Sequence, residues 1–209
     1  LTARSAFIGG AMGTSNIKAG KETGIKVMGT MAHSWVQSFC NEFEAFKAYT
    51  KSFPNSCFLL LDTYDVLNSG VPNAIRIAKE ILKDQNKFLG GRLDSGDLNY
   101  LSQKAYTKFT KAGLNNIILM ASNELDEFII EDLKRQGAKI NMWGVGTKLG
   151  FPNETLGGIY KLVAAEMNEV MEPVIKISNN PEKTTIPGIK TVYRFFDKNK
   201  KMLADVMFL

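Results

Sequence analysis

Residues 57–65 read CFLLLDTYD. Five apolar side chains in a row, with no polar residue between them, do not fit a strand that has one wet face. They predict a strand buried on both faces, as in a parallel sheet covered by helices. The run is far too short to cross a membrane. It stops on two aspartates, a threonine and a tyrosine, which are groups that carry chemistry.

The same pattern recurs on either side. Apolar runs stand at IKVMG (25–29), KFLGG (87–91), NIILMA (116–121), KINMWGV (139–145) and GGIYKLVA (157–164), and each is expected to be a buried strand. Helical spacing fills the intervals. In VPNAIRIAKEILKD the residues Val71, Ala74, Ile75, Ala78, Ile81 and Leu82 trace one face, and LDEFIIEDLKRQG ends on Gly137, a natural helix stop. The runs end near residues 30, 62, 92, 122 and 146, which is the spacing of successive βα units. The expected fold class is α/β, an irregular or partial (β/α) barrel over residues 1–165. Beyond Ala165 the rhythm changes: three of the six prolines fall there, and VYRFFD and MLADVMF flank KNKK as a hairpin would. Residues 166–209 are expected to be a β-rich segment of a second domain.

Composition narrows the classes of function. The chain has 209 residues, 44% of them hydrophobic, enough for a sizeable core. Its net charge is +5, but the lysines are scattered and no nucleic-acid-binding motif accompanies them. Small anionic molecules are therefore the expected partners, not nucleic acid. Cys40 and Cys57 match neither a metal site nor a disulfide framework, so Cys57 is expected as a buried free thiol in a reducing, cytoplasmic setting. No signal peptide or membrane-spanning run is visible. The opening LTARSAFIGG lacks an initial Met and already has helical character, so the chain is expected to be a piece of a longer one.

A polar cluster follows each of five runs: GTMAHS (29–34), DTYD (62–65), RLDSGD (92–97), SNELD (122–126) and GVGTK (144–148). In parallel α/β folds the loops after the strands converge on one mouth. One cluster alone reads as helix capping; SNELD, for instance, puts Ser122 or Asn123 at an N-cap with Asp126 near N3. Five together supply an imidazole, carboxylates, a guanidinium, hydroxyls and glycines. His33 is the only histidine, so a two-His metal site is excluded, and no G-x-S-x-G elbow is present. Asp62 on the adjacent strand is expected to orient the His33 ring through one nitrogen, leaving the other to take a proton or attack an electrophile. Gly144, Gly146 and Thr147 suit a phosphate cradle. SNIKAGKE (15–22) lacks the first glycine and the hydroxyl residue of a P-loop.

FIGGAMGTSN, VMGTMAHSW, LLLDTYD, GGRLDSGDL, ILMASNELDE, WGVGTKL and LGGIYKLVA, in this order and nearly end to end, resemble the nicotinate phosphoribosyltransferase family. A more distant likeness to the nicotinamide enzymes exists, but GTMAHSW and LDTYD favour the nicotinate branch. The resemblance implies an incomplete or irregular α/β barrel with a second domain built from N- and C-terminal segments. It implies transfer of the phosphoribosyl group of phosphoribosyl pyrophosphate to nicotinate in NAD salvage. It further implies ATP coupling through a phosphohistidine, which His33 matches, with Mg²⁺ as cofactor and a homodimer for the full-length protein. Arg92 and Thr30 would bracket nicotinate, a guanidinium being the natural partner of a carboxylate. Asp94 would take the ribose hydroxyls or Mg²⁺, and Ser95 would also contact substrate. Ser122 and Asn123 would join Gly144, Gly146 and Thr147 on the 5′-phosphate. Two competing readings are a non-catalytic phosphate-ligand-binding barrel and another barrel enzyme. The latter includes a quinolinate-type phosphoribosyltransferase or a Schiff-base aldolase, for which Lys161 is the one suitable lysine.

Overall fold

The computed structural model describes residues 1–55, 57–82, 88–151, 158, 160–167, 169–175 and 184–208, with Leu89 as backbone alone. Its centre is a four-stranded parallel sheet: β1 (Cys57–Leu60), β2 (Phe88–Leu93), β3 (Ile118–Ala121) and β4 (Met142–Trp143), paired in that order. All four residues of β1 are buried, as expected for a run without alternation. In β2, Gly90 adopts φ +145°, and a Cβ there would run into the Ile118 carbonyl oxygen of β3. Only glycine permits that approach.

Two short helices, α1 (Thr2–Ile8) and α2 (Ile17–Thr23), open the chain, and later helices pack on this sheet through apolar faces. α4 (Glu42–Ser52) is capped by Asn41, whose side chain accepts from Glu44 N–H, and it buries Ala45, Phe46, Tyr49 and Thr50. α6 (Leu98–Lys111) is capped by Asp97 and buries Leu98, Leu101, Ser102, Ala105 and Phe109. The helix foreseen from Val71 has its predicted face inward, with Val71, Ala74, Ala78 and Leu82 buried and Ile75 and Ile81 packed against the core. It is less regular than its pattern: α5 (Val71–Arg76) lies between two π-helical turns, Val66–Gly70 and Ile77–Ile81. The wider turns bring Ile77, off the predicted stripe, fully inside. α7 (Glu127–Arg135) ends as foreseen, with Gly137 at φ +81° and Ala138 N–H bonded to the Leu133 carbonyl.

Two expected strands differ. IKVMG holds only an isolated parallel bridge between Val27 and Thr14, with Val27 47% exposed. Nothing on its other side extends the ladder among the described residues. In GGIYKLVA, residues 157 and 159 lie outside the described set, and Tyr160–Val163 are not strand; Tyr160 is 93% exposed. β5 begins at Ala164 (Ala164–Met167) and pairs antiparallel with β6 (Val170–Pro173). The KNKK hairpin forms as read, β7 (Thr191–Phe196) against β8 (Met202–Phe208). Asp197 shapes its turn by accepting from the N–H groups of Asn199 and Lys201. Cys57 is buried and Cys40 exposed, both free. Among the described residues no helix is long and apolar enough to cross a membrane.

Candidate active site

The strand ends gather the polar clusters because the ladder holds them level. Leu60 is in register with Arg92 and Arg92 with Met120; past the strands, Leu61 N–H bonds to the Arg92 carbonyl and Ser122 N–H to the Leu93 carbonyl. Asp62, Asp94 and Ser122 therefore emerge side by side. His33 reaches them from outside the sheet as the first residue of α3 (His33–Gln37). That short helix is fixed by buried Val36 and by Trp35 Nε1–H donating to the Ala45 carbonyl.

The imidazole is buried and touches three side chains. Nδ1 lies 3.2 Å from Thr63 Oγ1, and Nε2 lies 3.4 Å from Asp94 Oδ2 and 4.0 Å from Asp62 Oδ1. The expected approach of Asp62 to His33 is present but long; Asp94, level with Asp62 in the ladder, is the nearer carboxylate. Asp62 Oδ2 instead accepts from Ser95 Oγ at 2.5 Å. Asp94 Oδ1 accepts from Ser122 Oγ at 2.5 Å. Burial would push Asp94 up, but the His33 ring, the Ser122 hydroxyl and the Arg92 charge outweigh it and hold the group well below the usual carboxylate range. Arg92 Nη2 stands 4.0 Å from Asp94 Oδ2, and its Nη1 donates to Thr30 Oγ1 at 2.5 Å. The structure therefore brings together Thr30, His33, Asp62, Arg92, Asp94, Ser95 and Ser122.

Among the described residues, Asp62 Oδ1 and Arg92 Nε are buried without a hydrogen-bond partner, and His33 Nε2 has only its long contacts with Asp94 and Asp62. Buried polar groups are normally satisfied, so these atoms have capacity left for a ligand, an ion or water. Among the described residues no group of three or more His, Cys, Asp or Glu side chains would hold a metal alone. Mg²⁺, however, commonly takes one or two protein carboxylates and fills its shell with substrate phosphate and water. Asp94, with the unpartnered Oδ1 of Asp62 beside it, offers that donor set.

The expected phosphate cradle is only partly open. Gly144 N–H already donates to the Ala121 carbonyl, and Gly144 packs against the Met120 and Ser122 side chains, so it serves the sheet. Ser122 Oγ serves Asp94. Gly146 stands in open space as the cap of α8 (Thr147–Gly150), with Thr147 opening that turn. Asn123 takes φ +91°. The cap of α7 is Asp126, accepting from Ile129 N–H, and neither Ser122 nor Asn123; the positive φ at Asn123 and Glu124 delays the helix. Lys161 lies beyond the parallel sheet, outside any strand. Thr63 was missed as a site residue. Its one signal was its place within DTYD, directly after Asp62.

Fold and cluster together define an α/β protein whose reactive groups meet at the carboxyl ends of parallel strands. Residues 3–206 match the model of the nicotinate phosphoribosyltransferase (NAPRTase) family, and the chain belongs to that family. It is 51% identical over 199 residues to nicotinate phosphoribosyltransferase of Bacillus subtilis, covering 94% of this chain and 40% of that protein. The human nicotinate phosphoribosyltransferase is 31% identical, with 96% of this chain and 47% of that one covered. The crystal structure of human nicotinic acid phosphoribosyltransferase superposes with a TM-score of 0.61 at 26% identity, covering 99% of this chain and 48% of that one. A nicotinate-nucleotide pyrophosphorylase from Pyrococcus furiosus shares the fold, with a TM-score of 0.59 at 21% identity over 97% of this chain and 48% of that one. The chain spans less than half the length of these relatives.

Proposed function

We propose that the chain is the central part of an enzyme that transfers the phosphoribosyl group of phosphoribosyl pyrophosphate to nicotinate. In this reading it belongs to an irregular α/β barrel, completed by chain outside the 209 residues. The pyridine nitrogen bonds to the ribose anomeric carbon as the bond to pyrophosphate breaks, giving nicotinate mononucleotide for NAD salvage. The observation that carries this reading is the Arg92–Thr30 pair beside Asp94 and His33. A guanidinium with a buried, unused Nε–H suits a carboxylate ligand better than an amide, because it forks onto two oxygens. Thr30 then fixes the fork, and Ser95 holds Asp62 in place.

Asp94 and Asp62 would hold Mg²⁺, which when bound neutralises the pyrophosphate charge. Ionised Asp94, already held against protonation, is suited to that task and to the ribose hydroxyls. His33 would be the residue phosphorylated by ATP. Gly146, Thr147 and Asn123 would receive the 5′-phosphate, with Gly144 and Ser122 forming the floor behind them. A cytoplasmic homodimer is the proposed form of the full-length protein.

The test uses the full-length protein with nicotinate, phosphoribosyl pyrophosphate, Mg²⁺ and labelled ATP. Formation of nicotinate mononucleotide, raised by ATP, and an acid-labile label lost in His33→Ala are expected. Product without any label would remove the phosphohistidine. No product would remove the transfer itself. Arg92→Lys should raise KM for nicotinate by at least tenfold with little change in folding, as the loss of one charged hydrogen bond implies (about 1.5–3 kcal/mol).

A further inference from the structure

Asp62, Asp94 and Ser122 stand level at the ends of β1, β2 and β3, so a serine completes the row that two aspartates begin. The Ser122 hydroxyl donates to Asp94 Oδ1 at 2.5 Å. One residue beyond Asp94, the Ser95 hydroxyl donates to Asp62 Oδ2 at the same 2.5 Å. Each aspartate thus has one oxygen tied to the next strand end. The other oxygen of each faces the same atom: Asp94 Oδ2 lies 3.4 Å from His33 Nε2, and Asp62 Oδ1 lies 4.0 Å from it. The torsion that turns a carboxylate is broad and soft, so without a second anchor its two oxygens trade places readily. A serine hydroxyl has a single proton to donate. Ser122 has given its own to Asp94 and has none left for a phosphate.

We propose that Ser122 is a positioning residue that acts through Asp94, as Ser95 acts through Asp62: the hydroxyl ties down one carboxylate oxygen and presents the other on the His33 side. The proposal rests on the reading of Asp94 and Asp62 as groups that meet the substrate or its Mg²⁺. The 5′-phosphate then falls to Asn123 and the turn at Gly146 and Thr147, without a proton from Ser122. Lacking the hydroxyl, Asp94 loses its fixed orientation, and the oxygen turned toward His33 is no longer always the same one.

A double-mutant cycle on the full-length protein tests this, with Ser122→Ala, Asp94→Ala and the two combined. It is read first in urea unfolding, which needs no substrate. There the combined loss should fall short of the sum by about tenfold in the unfolding equilibrium, the worth of one hydrogen bond to a charge. It is read next in kcat/KM for phosphoribosyl pyrophosphate. Ser122→Ala should cost about tenfold in the parent and nothing further once Asp94 is replaced. Ser122→Thr, which keeps the hydroxyl, should stay close to the parent. Ser95→Ala with Asp62→Ala should repeat the pattern. Should Asp94→Ala turn over too slowly to measure, calorimetry with inorganic phosphate replaces the kinetic arm, and Ser122→Ala should leave its Kd unmoved. Additive losses in either reading, or a phosphate Kd raised about tenfold by Ser122→Ala, overturn the proposal. Because unfolding needs no turnover, a coupled serine and aspartate in a protein that makes no nucleotide would refute the proposed reaction and leave the Ser122 assignment standing.

Discussion

Strands β1 and β8 are written in nearly the same alphabet, CFLL against MLADVMF, yet every residue of the first is buried and every residue of the second exposed. Hydrophobicity alone does not decide burial; what lies on either side does. β1 has β2 beside it and α4 against it, while β8, among the described residues, is paired with β7 alone. A lone two-stranded ribbon is marginal in water. The hairpin also keeps Tyr193, Phe195, Phe196, Leu203 and Phe208 about half or more exposed. The site follows the same division: its polar atoms sit at the covered sheet, where pairing has large consequences.

The sharpest way to break this contrast is to delete one side chain from each region. Leu59→Ala, at a fully buried position, should cost about 2–5 kcal/mol in urea unfolding. Phe195→Ala, 49% exposed, should cost about 0.5 kcal/mol or less. Equal losses would mean that the hairpin is covered in solution.

Acid unfolding supplies a smaller effect. Asp94 is depressed in the folded state, so its stabilisation is complete above the ordinary aspartate value (about 3.9) and is lost as pH falls toward the folded value. Thermal midpoints of Asp94→Asn should therefore depend less on pH below about 4 than those of the parent. A parallel acid limb in the two proteins would show that Asp94 is not held ionised.

The smallest effect belongs to the hairpin's own ion pair. Arg194 meets Asp205 across the strands through two contacts of 2.8 Å, and hydrogen bonding to Arg194 lowers the Asp205 carboxyl. Both side chains are exposed, at 57% and 39%, so water screens them. Asp205→Asn should leave the acid limb where it was, even though its geometry is better than that of Asp94 with Arg92.

Much of this was legible in the sequence, for physical reasons that can be named. CFLLL, NIILMA and the hairpin declared themselves through local pattern, whereas Arg92 and Thr30 were named together through the family resemblance, and the fold brings the two side chains into contact. IKVMG misled because a strand needs neighbours, which no run of residues shows by itself. Asp94 was not named beside Asp62 as a neighbour of His33, because the two carboxylates are level in the ladder and their distances from the ring depend on where α3 sets the imidazole. Gly144 looked like a phosphate donor because a sequence does not reveal which N–H groups the sheet has already taken. The α7 cap moved to Asp126 for the same kind of reason, since the left-handed turn at Asn123 and Glu124 had no glycine to announce it.

The order of the parallel sheet has a consequence in time. Its strands pair in the order in which they are made, so each new strand finds its partner already present. Synthesis proceeds at about 5–20 residues per second, so successive strands reach the sheet seconds apart. Closing each crossover is the slow step that parallel pairing entails. No strand after β1 has to wait, exposed, for one not yet made. During those intervals the growing edge is always the newest strand, and β4, at two residues, leaves that edge very short once it arrives.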